Sequence, residues 1–296
     1  MKTISLTILA LLFVLSLSHG QTLNIEMDSD SDSPYLLGKI DKNGLTSEHY
    51  NSWFSKNYED YKLNETTIKK IKSTLKNYQI TLFLGTWCGD SKREVPRFYK
   101  ILEACNFPMD QLSVIAVSSK SNRYKQSPEH EEQGLNIHRV PTFIFYKNEQ
   151  KINRIVEYPV ESLEKDILNI IRTNNYKSQY QIVAKINTIL ENKGLKGFKK
   201  QKNQLLKTYK DSVTSMFELN TYARVLYSAN RTKEAIEVFK LNTKLFPDNP
   251  RTFMSLANTL GISGDSKKAI KVIENAIKLF PDHEDLVENL ETLKSR

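Results

Sequence analysis

Residues 79–84, Gln-Ile-Thr-Leu-Phe-Leu, are a short apolar and β-branched run that stops at Gly85, and a helix-like segment opens a few residues later. The run reads as a central strand. Beyond it, Val95, Phe98, Ile101 and Leu102 recur at the spacing of one helical face, with Pro96 inside the segment, where a helix would kink. Only Gly85, Thr86 and Trp87 separate the strand from Cys88, so this cysteine is predicted at a strand-to-helix junction. The junction constrains chemistry as well as fold. Unpaired backbone N–H groups at a helix start carry partial positive charge, which favours a thiolate over a thiol.

The segment Trp87-Cys88-Gly89-Asp90-Ser91 resembles the active-site region of the thioredoxin superfamily, standing where thioredoxins carry Trp-Cys-Gly-Pro-Cys. Pro96 falls at the distance where those proteins kink their first helix. The flanking pattern agrees: an amphipathic helix over 64–77, a buried-type strand over 112–117, a polar loop from 118 to about 134, then a strand over 142–146. A turn at 147–150, a partner strand over 151–157 and a closing helix over 160–173 complete an α/β thioredoxin-like fold, a central sheet flanked by helices. The resemblance implies a cis-proline ahead of the third strand, facing the cysteine and leaving the preceding backbone free to pair with an extended substrate. Val140 and Pro141 match those positions. By the same resemblance Trp87, Gly89, Asp90, Val140 and Pro141 are substrate-binding candidates.

Ser91 decides which chemistry this site can perform. In a two-cysteine site the second thiol attacks the mixed disulfide and releases reduced substrate. With Ser91 that step needs glutathione, another low-molecular-weight thiol or a second protein. Cys88 is therefore the candidate nucleophile toward protein or peptide disulfides and thiols. Ser91 is placed beside it as a catalytic candidate, its hydroxyl able to hydrogen-bond the thiolate. Asp90 disfavours that thiolate, and Lys92 and Arg93 partly compensate. Leu82 occupies the position where thioredoxins keep a buried aspartate for the resolving thiol, so two departures agree on single-cysteine chemistry. The competing reading, from another class, is a redox-inactive adaptor that binds peptides or proteins.

Cys105 lies 17 residues after Cys88 on the same predicted helix, roughly 25 Å away at 1.5 Å per residue, so the two cannot pair. It reads as a buried small hydrophobe. His49, His130, His138 and His283 are scattered without metal-ligand spacing, and no phosphate loop is present, so neither metal nor cofactor is expected. Asp28, Asp30 and Asp32 alternate like the start of a calcium loop, but Ser33 replaces the glycine it requires. The net charge of +9 comes from lysines dispersed over helix-like segments, without a basic block interleaved with aromatics, which argues against nucleic acid as partner.

At 296 residues the chain suits about two domains. Lys2 precedes an apolar run from Ile4 to Leu17, and Ser18-His19-Gly20 supplies a small-residue cut site, so 1–20 reads as a signal peptide and the protein as exported, periplasmic or secreted. That run is too short for a stable membrane span. Residues 21–63 read as a flexible leader and N-terminal extension. In it, Trp53, Phe54, Tyr58 and Tyr61 are predicted to pack onto the thioredoxin-like domain of 64–174. Residues 175–215 read as linking helices broken at Gly194 and Gly197.

From Met216 the chain repeats itself with a period of 34 residues: Leu219, Ala223, Leu226, Ala235, Phe239, Leu245, Phe246, Pro247 and Asp248 recur as Phe253, Ala257, Leu260, Ala269, Ile273, Leu279, Phe280, Pro281 and Asp282. The period and the small residues at helix crossings resemble tetratricopeptide repeats. This implies an all-α domain over 216–296, two repeats plus a capping helix, with a groove for a protein partner. The whole layout, with its Trp53-Phe54 extension and Trp-Cys-Gly-Asp-Ser-Lys-Arg-Glu run, resembles exported thioredoxin-family proteins of Bacteroidota-type bacteria.

Overall fold

In the computed structural model, which describes residues 23–28, 33–173 and 175–295, the apolar run at 79–84 is one of the two central strands of a six-stranded mixed sheet. In chain order the first domain comprises β1 (Ile25–Met27), β2 (Tyr35–Lys39), α1 (Lys42–Leu45), α2 (Glu48–Asp60), α3 (Glu65–Leu75), β3 (Gln79–Leu84), α4 (Gly89–Ala104), β4 (Leu112–Ala116), β5 (Thr142–Lys147), β6 (Gln150–Val156) and α5 (Leu163–Arg172). The sheet order is β1-β2-β4-β3-β5-β6. Strands β3 and β4 pair in parallel, with Leu84 opposite Ala116, and the other pairs are antiparallel.

Successive strand residues point to opposite faces, and the two faces are covered differently. Ile80, Leu82 and Leu84 of β3, with Val114, Phe143, Phe145 and Ile155, pack into a large core against α2, α3, α4 and α5. Phe83, Ile115 and Ile144 face the other way and join Val117, Ile137 and Val140 in a small cluster under the β4–β5 segment. Leu82 is fully buried among apolar neighbours, as expected for a chain that lacks an acid at that position.

Helix ends are set by local chemistry. The Asn64 side chain caps α3 by accepting from Thr67 N–H at 3.0 Å, and Ser162 caps α5 through Lys165 N–H at 3.3 Å. Cys88 occupies the N-cap position of α4, and Pro96 lies within that helix.

The aromatic extension packs as its spacing predicts. Phe54 on α2 is buried against Tyr99 of α4, with ring centroids 5.7 Å apart. The Lys100 ammonium donates to the carbonyls of Tyr58 and Tyr61, each at 2.8 Å, closing the end of α2.

The leader is a correction. Ile25–Met27, expected to be flexible, pair with Tyr35–Leu37, and Gly38 and Lys39 pair with β4, so the sheet begins well before residue 64. Ile25–Met27 is too short to show a period, and Gly38 and Lys39 are held in the sheet by pairing with the distant β4. The predicted signal peptide, Asp30 and Asp32 lie outside the described residues.

The remainder is helical: α6 (Gln181–Tyr209), α7 (Phe217–Ser228), α8 (Thr232–Leu245), α9 (Pro250–Ile262), α10 (Ser266–Leu279) and α11 (Glu284–Lys294). At Gly194 (φ 58°, ψ −172°) the backbone leaves the helix and re-enters it, whereas Gly197, also expected to be a break, lies within regular helix. Glycine alone tolerates that φ at no steric cost. Adjacent helices pair as α7 with α8 and α9 with α10, and α11 closes the end. Ala223, Ala235, Ala257 and Ala269 are fully buried at the crossings.

The helical region docks on the β4–β5 segment of the first domain. Gln126 Nε2 donates to Ser228 O at 2.7 Å, and the Arg224 guanidinium lies over the Tyr124 ring at 4.3 Å. Among the described residues no helix is long and apolar enough to cross a membrane.

Candidate functional site

The turn between β3 and α4 is built around a close approach that only glycine permits. A Cβ on Gly85 would meet the Trp87 ring at 2.5 Å, so the ring lies directly on the backbone there. Trp87 is pinned from its other end, where the indole N–H donates to Val117 O at 2.9 Å. The turn is braced by β2 as well, since Thr86 Oγ1 accepts from Leu36 N–H at 3.0 Å.

These contacts hold Cys88 at the start of α4 in an extended conformation (φ −91°, ψ 126°), with Lys92 N–H donating to its carbonyl at 3.0 Å. The sulfur does not cap its own helix. It points across to the β5 side, donating to Val140 O at 3.2 Å, and is half-buried beside the small cluster on this sheet face. The Val140–Pro141 peptide bond is cis, so the structure brings Trp87, Cys88, Val140 and Pro141 together. Gly89 is open on its Cα side, with no atom within 4 Å of an added Cβ.

Ser91 is placed differently from expectation. Ser91 is 0% exposed and its Oγ accepts from Gly85 N–H at 3.2 Å, so its oxygen braces the turn rather than the Cys88 sulfur. Asp90 is held by Arg93 at 2.7 Å, and the same guanidinium donates to Glu94 at 2.6 Å.

Sequence reasoning missed a set of buried charged and polar side chains on this face. Glu157 is 7% exposed, its N–H donates to Pro141 O at 2.7 Å, and its carboxylate takes Arg139 Nη1 at 3.0 Å and the Tyr180 hydroxyl. Burial pushes the Glu157 carboxyl up, and the nearby Asp90 charge adds to that, while Arg139 opposes both. Arg139 also donates to Phe217 O at 2.9 Å, tying the cis-proline loop to the start of α7. His138 is 4% exposed between the rings of Tyr180 and Tyr222, and burial lowers it to about 3, so it is neutral. Lys125 is 5% exposed, and burial lowers its ammonium to about 8. The proximity of Arg139 to Val140-Pro141 was the one signal available in the chain.

A cavity of about 560 Å³ lies beside this cluster, between the β4–β5 segment and α6–α8, lined by Tyr124, Lys125, Asn136, Tyr222 and Arg231 among others. Cys88 is not part of its lining. Among the described residues no group of three or more His, Cys, Asp or Glu side chains is arranged to hold a metal ion.

A family model described as thioredoxin matches residues 43–168. No curated protein matches the chain. The match spans α1 to α5 and includes Cys88 and Pro141, and this part of the chain is a thioredoxin-like domain, followed by an all-helical region.

Proposed function

From a thioredoxin-like domain with one cysteine at a helix start, we propose thiol–disulfide exchange through Cys88, resolved by an external thiol. One observation carries the reading: the half-buried sulfur at the α4 N-terminus faces Val140 O across 3.2 Å, beside a cis-proline. The Cys88 thiolate attacks one sulfur of a substrate disulfide, and the S–S bond breaks. A mixed disulfide forms, and the departing thiolate takes a proton from solvent. A small thiol such as glutathione then attacks the Cys88 sulfur and releases the substrate as a thiol. A second equivalent regenerates Cys88 and leaves the small thiol as its own disulfide. The sulfur lies outside the neighbouring cavity and is only half-buried, which suits a protein or peptide disulfide.

In this reading the chain is exported to the periplasm, and the tetratricopeptide-like helices recruit the protein partner. The 34-residue period and the paired helices α7/α8 and α9/α10 support that assignment. Ile262, Leu279 and Val287, on α9, α10 and α11, are exposed. The adaptor reading draws on one feature: the Ser91 oxygen is engaged with Gly85 rather than with the sulfur.

Trapping decides between the two. Wild-type protein incubated with an envelope extract should accumulate mixed disulfides, identified by mass spectrometry, at Cys88 and not Cys105. The Cys88→Ser protein should lose glutathione-dependent disulfide reduction by at least about a hundredfold. Equal activity in that variant would remove Cys88 as nucleophile and leave the adaptor.

A further inference from the structure

The two domains meet over the cavity of about 560 Å³, walled by the β4–β5 segment on one side and by α6, α7 and the turn into α8 on the other. Both walls are fixed. Gln126 and Ser228, joined by their 2.7 Å hydrogen bond, line it from opposite sides, and the Tyr222 hydroxyl on α7 donates to Asn187 Oδ1 on α6 at 3.2 Å. A cavity of this size between domains is the usual setting of a small-molecule site, and the polar groups left without partners set what it takes.

Most charged side chains of the lining are already engaged. Arg231 donates to Glu191 at 3.1 Å and to Glu234, while Glu132 accepts from Ser127 N–H at 3.0 Å and lies 3.3 Å from His130 Nδ1. Lys125 differs. It is 5% exposed, and among the described residues its ammonium has no carboxylate partner and no hydrogen-bond acceptor, only the rings of Tyr124 and Trp87 at 5.2 and 5.6 Å. The Glu157 carboxylate is taken by Arg139 and Tyr180, and Arg139 and Arg224 are cations themselves. Burial lowers the Lys125 ammonium to about 8, so at pH 7 it still carries its charge. A buried cation without an anion is costly, and an anion entering the cavity offsets that cost. Asn136 adds a second open group: its Oδ1 is buried with no donor, while its carbonyl is held by Arg154 Nη1 at 3.3 Å. Val225 and Leu226 of α7 line the cavity beside Tyr222 and give its far wall an apolar stretch.

We propose that this interdomain cavity is a binding site for a small carboxylic acid that also carries an N–H and an apolar body, the chemistry of an N-acylated apolar amino acid. Its carboxylate pairs with the Lys125 ammonium, its N–H donates to Asn136 Oδ1, and its apolar part packs against Tyr222, Val225 and Leu226. The ligand touches both domains, so it binds their docked arrangement. Cys88 is not part of the lining, and the site stands whether or not that thiol exchanges disulfides.

The test is titration of the isotope-labelled full chain with N-acetylphenylalanine, followed by NMR at about pH 7. Saturable shifts are expected in residues 124–137 and 222–231, with a Kd of about 1 mM or tighter, the affinity that about 15 non-hydrogen atoms supply. The corresponding amide, which lacks the charge, should bind about tenfold more weakly, and 3-phenylpropanoate, which lacks the N–H, about threefold more weakly. The Lys125→Met protein should lose about tenfold in affinity for the acid and no longer prefer it over the amide. Absence of saturable shifts up to about 20 mM overturns the proposal, as does equal binding of either analogue to wild type. Shifts confined to other regions overturn it too, as does a folded Lys125→Met protein that binds the acid like wild type. Should Lys125→Met fail to fold, the acid-to-amide ratio on the wild-type protein still decides.

Discussion

The two faces of the thioredoxin-like sheet are built from the same alternating strands, yet one is a dry core and the other a chemical surface. On the helix-covered face, Leu82, Leu84, Phe98, Phe143 and Cys105 pack against α2–α5 in one continuous apolar cluster. On the opposite face a cluster of six buried apolar residues underlies Lys125, His138, Arg139 and Glu157, and Cys88 lies at its edge. Among the described residues α2 to α5 of the first domain all pack on the other side. This side is covered by the β4–β5 segment, held down by Arg154 Nη1 donating to Leu135 O at 2.6 Å, and then by α7. The lesson is in the two cysteines, which cap opposite ends of α4. Residue type is shared, and what differs is whether packing leaves the sulfur an apolar grave or a turn with charged neighbours.

The largest test of this contrast is Phe98→Ala. Phe98 is fully buried on the helix side, 4.5 Å from the Phe143 ring centroid, and its loss should cost about 3–5 kcal/mol by denaturant unfolding. A cost below about 1 kcal/mol would mean that this face is not the main core. The cysteines give the next effect. Cys105 is 3% exposed and burial pushes its thiol up to about 11, so at pH 8 its alkylation should trail that of Cys88 at least about a hundredfold. Comparable rates would erase the distinction between the faces.

His138 supplies the effect that is smallest per pH unit and most diagnostic. Its folded value is lowered to about 3, while an unfolded histidine titrates near 6.5. Between those values the unfolded chain binds a proton that the folded chain refuses, so stability is full above about 6.5 and declines as pH falls toward 3. The expected slope from this group is about 1.4 kcal/mol per pH unit in that window. His138→Phe should flatten the profile by that amount, and an unchanged slope would show that the site face does not keep this ring neutral.

Much of the first domain was legible as local pattern. Gln79–Leu84, the helix opening at Cys88 and the strand after Pro141 were all readable, because a buried strand shows as an unbroken apolar run and a helix start as a change of period. The strands β1 and β2 were not. Ile25–Met27 is three residues long, too short to carry a period, and its antiparallel partners Tyr35–Leu37 lie in a register that nothing local announces. The site divides in the same way. Trp87, Cys88 and Pro141 announce themselves by residue type and spacing, whereas Lys125, Glu157 and Tyr180 look like surface residues until three separate segments close over them.

Residue order alone settled where the thiol sits, that a second thiol is missing at Ser91, and that the C-terminal helices recur every 34 residues, since each of these is written within one turn, one helix or one period. Packing between distant segments settled the rest: Ser91 bracing Gly85, the Arg139–Glu157–Tyr180 cluster, and α7 lying over the loop that carries Lys125. Charge buried by contacts far apart in the chain has no local signature, because its desolvation exists only once those segments meet.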